Sequence, residues 1–182
     1  MDPKTDTRNL QDQYKGLSNE QVFDALEQGR NDLEVAIENV THDFNAGTIV
    51  RSANNFNAAR VHIIGRKKYN RRGAMCTDKY LEIAHWPTWA EFIADQRKRG
   101  RRVVAIENHT ERVQPLSKAN FADGKSVTLL FGGESDGLST EALADADEVR
   151  EIESFGSTRS VNVGVAAGIA MYERVRQCAL GD

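Results

Sequence analysis

Apolar positions along the chain follow two rhythms. Leu33, Val35 and Ile37 alternate with charged or small residues, and short apolar runs follow at 61–64, at Arg102–Ile106 and at Val127–Phe131, with a weaker one at 149–152. Alternation and short continuous runs are the signatures of half-buried and fully buried strands, so five strands are predicted. Helical spacing fills most of the intervals. Ser18 with Gln21 three positions on makes a capping box for a short helix ending near Gly29. Thr88 with Glu91 makes a second, followed by Phe92, Ile93 and Gln96 at helical spacing and closed by Gly100. A last helix over about 162–177 carries Val165, Ile169 and Tyr172 along one face and Ala and Gly elsewhere, a pattern that predicts close packing.

Strands alternating with helices point to an α/β fold with a parallel sheet and helices on both faces. Residues 1–31 read as a polar arm, mobile to about Gly16, and a short lead-in helix, and 32–182 as one domain. Repeats, low-complexity tracts and Pro- or Gly-rich linkers are absent from the sequence.

Composition narrows the function classes. The 182 residues carry 24 Lys+Arg against 27 Asp+Glu, a net charge of −3. No apolar run approaches the ~18 residues that span a bilayer, and the first residues carry neither a secretory nor a transit pattern, so a cytoplasmic chain with no membrane partner is expected. Cys76 and Cys178 stand far apart, which excludes a disulfide framework. His42, His62, His85 and His109 lack metal-ligand spacing, so no metal is expected.

Ligands of open α/β sheets sit at the carboxyl ends of the strands, and three of the loops there are unusual. The first passes through Asn45 and Gly47 into a helix bearing Arg51 among small residues. Asn45 reads either as an N-cap or as a site residue, and Arg51 as a surface or a functional arginine. The second, Phe131-Gly132-Gly133-Glu134-Ser135-Asp136-Gly137-Leu138-Ser139, frames a carboxylate with glycines. It lacks both the GxGxxG and the Walker spacing, and reads either as a ligand-approaching backbone or as a tight turn with Ser139 capping the next helix. The third, from Glu153 through Gly156 and Ser160 to Asn162, is rich in hydroxyls and glycine; Ser160 or Asn162 caps the final helix or meets a ligand.

Together and in this order, the three segments resemble the three motifs of the SpoU/TrmH family of RNA ribose 2′-O-methyltransferases, within the SPOUT superfamily. Asn45, Gly47, Arg51, Ser52 and Ala53 match the first motif, and Phe131, Gly132, Glu134, Gly137 and Leu138 the second. Ser160, Val161, Asn162, Val163, Ala166, Gly168, Ile169, Tyr172 and Glu173 match the third, with Gly164 where the family usually has Ser or Ala.

The resemblance implies a SPOUT-type α/β domain with a C-terminal deep trefoil knot over about 127–178, S-adenosylmethionine as cofactor, and a homodimer with the final helix at its interface. By position, Glu107, Gly132, Gly133, Ile152, Ser160, Val161, Asn162 and Val163 would contact the cofactor. Arg51 would be the leading catalytic residue, with Asn45, Glu134, Ser160 and Asn162 lining the same site. A guanidinium stays protonated, so Arg51 is expected to orient a phosphate and stabilise developing alkoxide charge rather than act as the base.

RNA requires local positive charge. The segment with Arg66, Lys67, Lys68, Tyr69, Arg71 and Arg72 follows the second strand and combines phosphate-binding charge with a stacking ring. The cluster Arg97, Lys98, Arg99, Arg101 and Arg102 closes a helix, where it suits the dipole or offers a further patch. The expected reaction is 2′-O-methylation of RNA. A compact chain without an added RNA-binding domain favours tRNA over rRNA, the alternatives being rRNA, a base-directed SPOUT methyltransferase or a non-catalytic RNA binder.

Overall fold

The computed structural model describes residues 2–38, 43–65, 73–108, 110–133 and 136–180. Helices α1 (Asn19–Glu27), α2 (Asp43–Asn55), α3 (Trp89–Lys98), α4 (Thr140–Asp145) and α5 (Val163–Val175) accompany seven strands. These are β1 (Asn31–Glu38), β2 (Ala58–Ile64), β3 (Glu82–Trp86), β4 (Arg102–Ile106), β5 (Gln114–Pro115), β6 (Val127–Phe131) and β7 (Glu148–Glu151). They form one sheet in the order β3-β2-β1-β6-β4-β7-β5, and every pairing in it is parallel.

The sheet is covered on both faces, which explains why its central strands are apolar almost throughout. Leu33, Val35 and Ile37 of β1 pack with Ile49 and Val50 of α2 and Ala167, Ala170 and Met171 of α5. The opposite side of β1, through Ala36, packs with Phe92 of α3 and Ala142 of α4. The small residues of α5 bury as the sequence predicts, and leave Val165, Ile169 and Tyr172 exposed. A Cβ added at Gly164 would lie 3.0 Å from Thr48 Cγ2, so α5 meets α2 at a distance suited to glycine.

Both helices begin where expected: Ser18 and Gln21 form the full reciprocal capping box, whereas Thr88 accepts from the N–H of Glu91 as a simple N-cap without the return bond. Two strands escaped the pattern. β3 is half exposed at the sheet edge, and β5 is only two residues long. The opening residues also differ from a trailing arm. The Asp6 carboxylate accepts from Arg8 Nη2 at 2.5 Å and from the Gly16 N–H at 3.0 Å. Lys15 Nζ donates to the Asp6 carbonyl at 2.9 Å, so the segment closes on itself.

A polar network lies beneath α3. Trp86 Nε1 donates to His62 Nδ1 at 2.9 Å, which leaves the other ring nitrogen of His62 to donate to Glu34 Oε2 at 2.8 Å. Arg99 pairs with the same carboxylate, and Arg101 donates to Thr128, Asp32 and the Val127 carbonyl. Burial opposes charge on Glu34, but His62, Arg99 and Arg101 outweigh it and hold the carboxyl down at about 2. Burial lowers His62 below its ordinary value and keeps it neutral.

The 97–102 cluster divides between two roles. Arg97 pairs with Asp147, Arg99 with Glu34 and Asp95, Arg101 with Asp32, and Arg102 with Asp123 and Glu148. Arg97 and Lys98 form the exposed basic last turn of α3, as the helix-end reading expects, while buried Arg101 and half-buried Arg102 tie the following strand into the fold.

Candidate functional site

The ends of β4, β6 and β7 open onto a cleft of about 610 Å³, within the range of small-molecule sites. Its floor is Phe131, Gly132 and Gly133, where the chain leaves β6. Gly137 takes φ +64, and the turn closes by mutual hydrogen bonds between Gly133 and Gly137. A Cβ at Gly132 would lie 2.3 Å from the Gly137 carbonyl carbon, so the turn exists only with glycine there.

Two carboxylates fix this turn. Glu107 accepts the N–H of Asn108 at 2.8 Å and that of Leu138 at 3.4 Å. Buried Glu38, at the end of β1, accepts both the N–H and the hydroxyl of Ser139. Ser139 in turn caps α4, as the sequence predicts. The other wall is the segment entering α5, where Asn162 is the N-cap, accepting from Gly164 and Val165. Of the two capping candidates there, Asn162 therefore caps and Ser160 lies free to face the cleft.

Glu107, Gly132, Gly133, Ile152, Ser160, Val161, Asn162 and Val163, the residues expected at the cofactor, all line this one cleft. Asn45 reaches its rim: Asn162 Nδ2 donates to Asn45 Oδ1 at 3.1 Å. The N-cap reading of Asn45 does not hold, because α2 begins at Asp43 and Asn45 is already helical. Arg51 is exposed on α2 and is not among the lining residues of the cleft. Glu134 and the segment Arg66, Lys67, Lys68, Tyr69, Arg71 and Arg72 lie outside the described residues.

Sequence reasoning missed Asn108, Thr110 and Leu143, which line the cleft from the loop after β4 and from α4. Asn108 Nδ2 donates to the Arg159 carbonyl, tying that loop to the segment before α5. Their only sequence signal is position after a buried strand. A smaller recess of about 340 Å³ adjoins at Asn108, Glu151 and Ile152. It includes Glu153, whose carboxyl the Ser117 hydroxyl holds below the usual range. Among the described residues, no group of His, Cys, Asp or Glu is set to hold a metal.

The family model described as SpoU rRNA Methylase family matches residues 32–172, most of the chain. The chain belongs to this family. Within it, the tRNA (guanosine(18)-2′-O)-methyltransferase of Aquifex aeolicus (strain VF5) is 30% identical over 158 residues, covering 85% of this chain and 74% of that relative. The crystal structure of the A. aeolicus TrmH/SpoU tRNA modifying enzyme matches with a TM-score of 0.76 at 28% identity, over 87% of this chain and 81% of that one. The AdoMet-bound rRNA methyltransferase from Sinorhizobium meliloti matches with a TM-score of 0.73 at 28% identity, over 86% of this chain and 60% of that one. The cleft of this SpoU-family chain thus sits in a fold shared with RNA-modifying enzymes.

Proposed function

We propose that this chain transfers a methyl group from S-adenosylmethionine to a ribose 2′-hydroxyl of tRNA. The observation that carries the reading is the convergence on one cleft of all eight residues anticipated for the cofactor, with Asn45 bonded to Asn162 at the rim. The donor set suits the cofactor. Apolar Ile106, Leu138 and Ile152 share the lining with the glycine turn at Gly132 and Gly133. The buried Thr110 hydroxyl oxygen has no hydrogen-bond partner among the described residues, which suits a polar ligand. When bound, S-adenosylmethionine supplies an electrophilic methyl group on a sulfonium.

In this reading the glycine turn and residues 160–163 hold the cofactor while Asn45 and Asn162 fix the angle between α2 and α5. Arg51 binds a substrate phosphate and stabilises the charge that develops on the ribose oxygen, whose proton leaves to phosphate or water. By its motif position, Glu134 is assigned to the same site as Ser160.

The apolar row Val161, Val165, Ile169 and Tyr172, each 39–52% exposed, supports a homodimer through α5, and the exposure of Arg51 supports its acting beside the partner copy's cleft. The strand order, with β6 between β1 and β4 and α5 returning onto α2, supports a threaded trefoil over about 127–178. We read 32–182 as the methyltransferase domain and 1–31 as a lead-in docked on it. The cytoplasm is the matching compartment; no described helix is long and apolar enough to cross a membrane.

Mass spectrometry of nucleosides, after separate incubation of unmodified tRNA and rRNA with the protein and S-adenosylmethionine, tests the reading. A 2′-O-methylated nucleoside from tRNA is expected. The same product from rRNA alone moves the substrate, a methylated base replaces the reaction, and RNA binding without product leaves a non-catalytic binder.

A further inference from the structure

Phe44 is a large aromatic in the first turn of α2, and 61% of its surface is exposed. Thr48 and Arg51 follow at i+4 and i+7, so the three share one outward stripe. Arg51 has no hydrogen-bond or ion-pair partner among the described residues. Next to Phe44 in sequence is Asn45, the residue bonded to the cleft rim.

A second chain segment ends at the same place. A Cβ added at Gly47 would lie 2.7 Å from the Ala74 nitrogen and from Gly73 Cα, and one at Gly73 would lie 2.7 Å from the Phe44 carbonyl oxygen. Gly73 thus meets the first turn of α2 in backbone contact. By sequence, the residues just before it include Arg66, Lys67, Lys68, Arg71 and Arg72.

The stripe of Phe44 carries the cationic Arg51 and the Thr48 hydroxyl, unlike the apolar row on α5. Charge complementarity therefore selects a polyanion carrying flat rings over another protein face. The rise from Phe44 to Arg51 is roughly 10 Å along the helix, which separates a ring held at one end from a phosphate held at the other.

We propose that Phe44 stacks on an unpaired nucleobase of the RNA substrate and thereby positions the backbone against Arg51. The inference rests on the RNA-methyltransferase reading but is read out by binding as well as turnover.

The test uses the full chain and a pool of unmodified tRNA transcripts. Ultraviolet cross-linking followed by peptide mass spectrometry is expected to place a nucleotide adduct on Phe44. In steady-state methylation, Phe44→Ala and Phe44→Leu are expected to raise the KM for RNA about tenfold with kcat little changed, while Phe44→Trp retains the wild-type KM. A Leu variant equal to wild type, an adduct map that omits Phe44, or an Ala variant with altered molecular mass in solution overturns the proposal, the last assigning Phe44 to a protein contact. An adduct on Phe44 without methyl transfer leaves the stacking role standing and overturns the catalytic reading. Absence of RNA binding removes both.

Discussion

Asn162 Nδ2 donates to Asn45 Oδ1 at 3.1 Å, while Asn162 Oδ1 accepts from the N–H groups of Gly164 and Val165. One side chain therefore caps α5 and ties it to α2, leaving Arg51 about two turns further along that helix. Arg51→Ala is expected to abolish methyl transfer while cofactor affinity stays within about tenfold, or 1.4 kcal/mol. Parallel loss of both, by calorimetry and by radiolabelled transfer, would place Arg51 in cofactor binding instead.

The glycine turn predicts the opposite split. A methyl group at Gly132 collides with backbone, which cannot swing aside as a side chain can. Gly132→Ala is expected to cost roughly 1–3 kcal/mol of stability and to weaken cofactor binding at least tenfold. Denaturant unfolding and calorimetry measure the two effects.

In the proposed homodimer, the exposed row on α5 forms the seam, so Ile169→Glu is expected to give a monomer. Light scattering would register the halved mass. Transfer activity is expected to fall at least a hundredfold, with cofactor still bound, because Arg51 would lose the partner's cleft.

Acid is expected to destabilise the protein in two stages. Burial keeps His62 neutral in the fold, whereas the unfolded chain takes up a proton near 6.5, so the contribution is complete above that pH and shrinks below it. Glu34 holds its charge down to about 2 against an ordinary value of 4.5, so its contribution is present above 4.5 and lost between 4.5 and 2. Melting temperatures of wild type and His62→Gln across pH 5 to 8 separate the first stage. The variant should lose the slope below 6.5.

Arg101 is 6% exposed and donates to Thr128, Asp32 and the Val127 carbonyl. Arg101 Nε also lies 3.3 Å from the buried Glu34 carboxylate, so Arg101→Ala is expected to cost about 3 kcal/mol of stability by stripping that buried charge of one partner, with RNA affinity unchanged. A fall in RNA affinity at constant stability would restore the 97–102 cluster as a binding patch.

What the sequence discloses depends on how local the cause is. The caps at Ser18 and Thr88 and the buried runs of β4 and β6 each act within a few residues, and each was legible. The glycine turn and residues 160–163 at the cleft were legible through motifs whose order no single spacing rule supplies, Glu107 and Ile152 only through their family positions, and Asn108, Thr110 and Leu143 not at all. β3 was hidden because its edge position leaves Glu82 and His85 exposed and erases the alternation. The inward turn of Arg99 and Arg101 was hidden because Glu34 and Asp32 lie more than sixty residues away. Asn45 was misplaced by the two residues that separate it from Asp43, the usual uncertainty of a helix end.

The contacts that build the cleft join distant parts of the chain: Glu38 to Ser139 across 101 positions and Asn45 to Asn162 across 117. Assembly must therefore close very long loops before any of these bonds repays the entropy lost. During synthesis from the amino end, β1 can pair with β2 early, but β1 and α2 wait for β6 and α5, still untranslated. A nascent or truncated chain lacking α5 lacks one wall of the cleft, so activity is expected only once the last helix has been made.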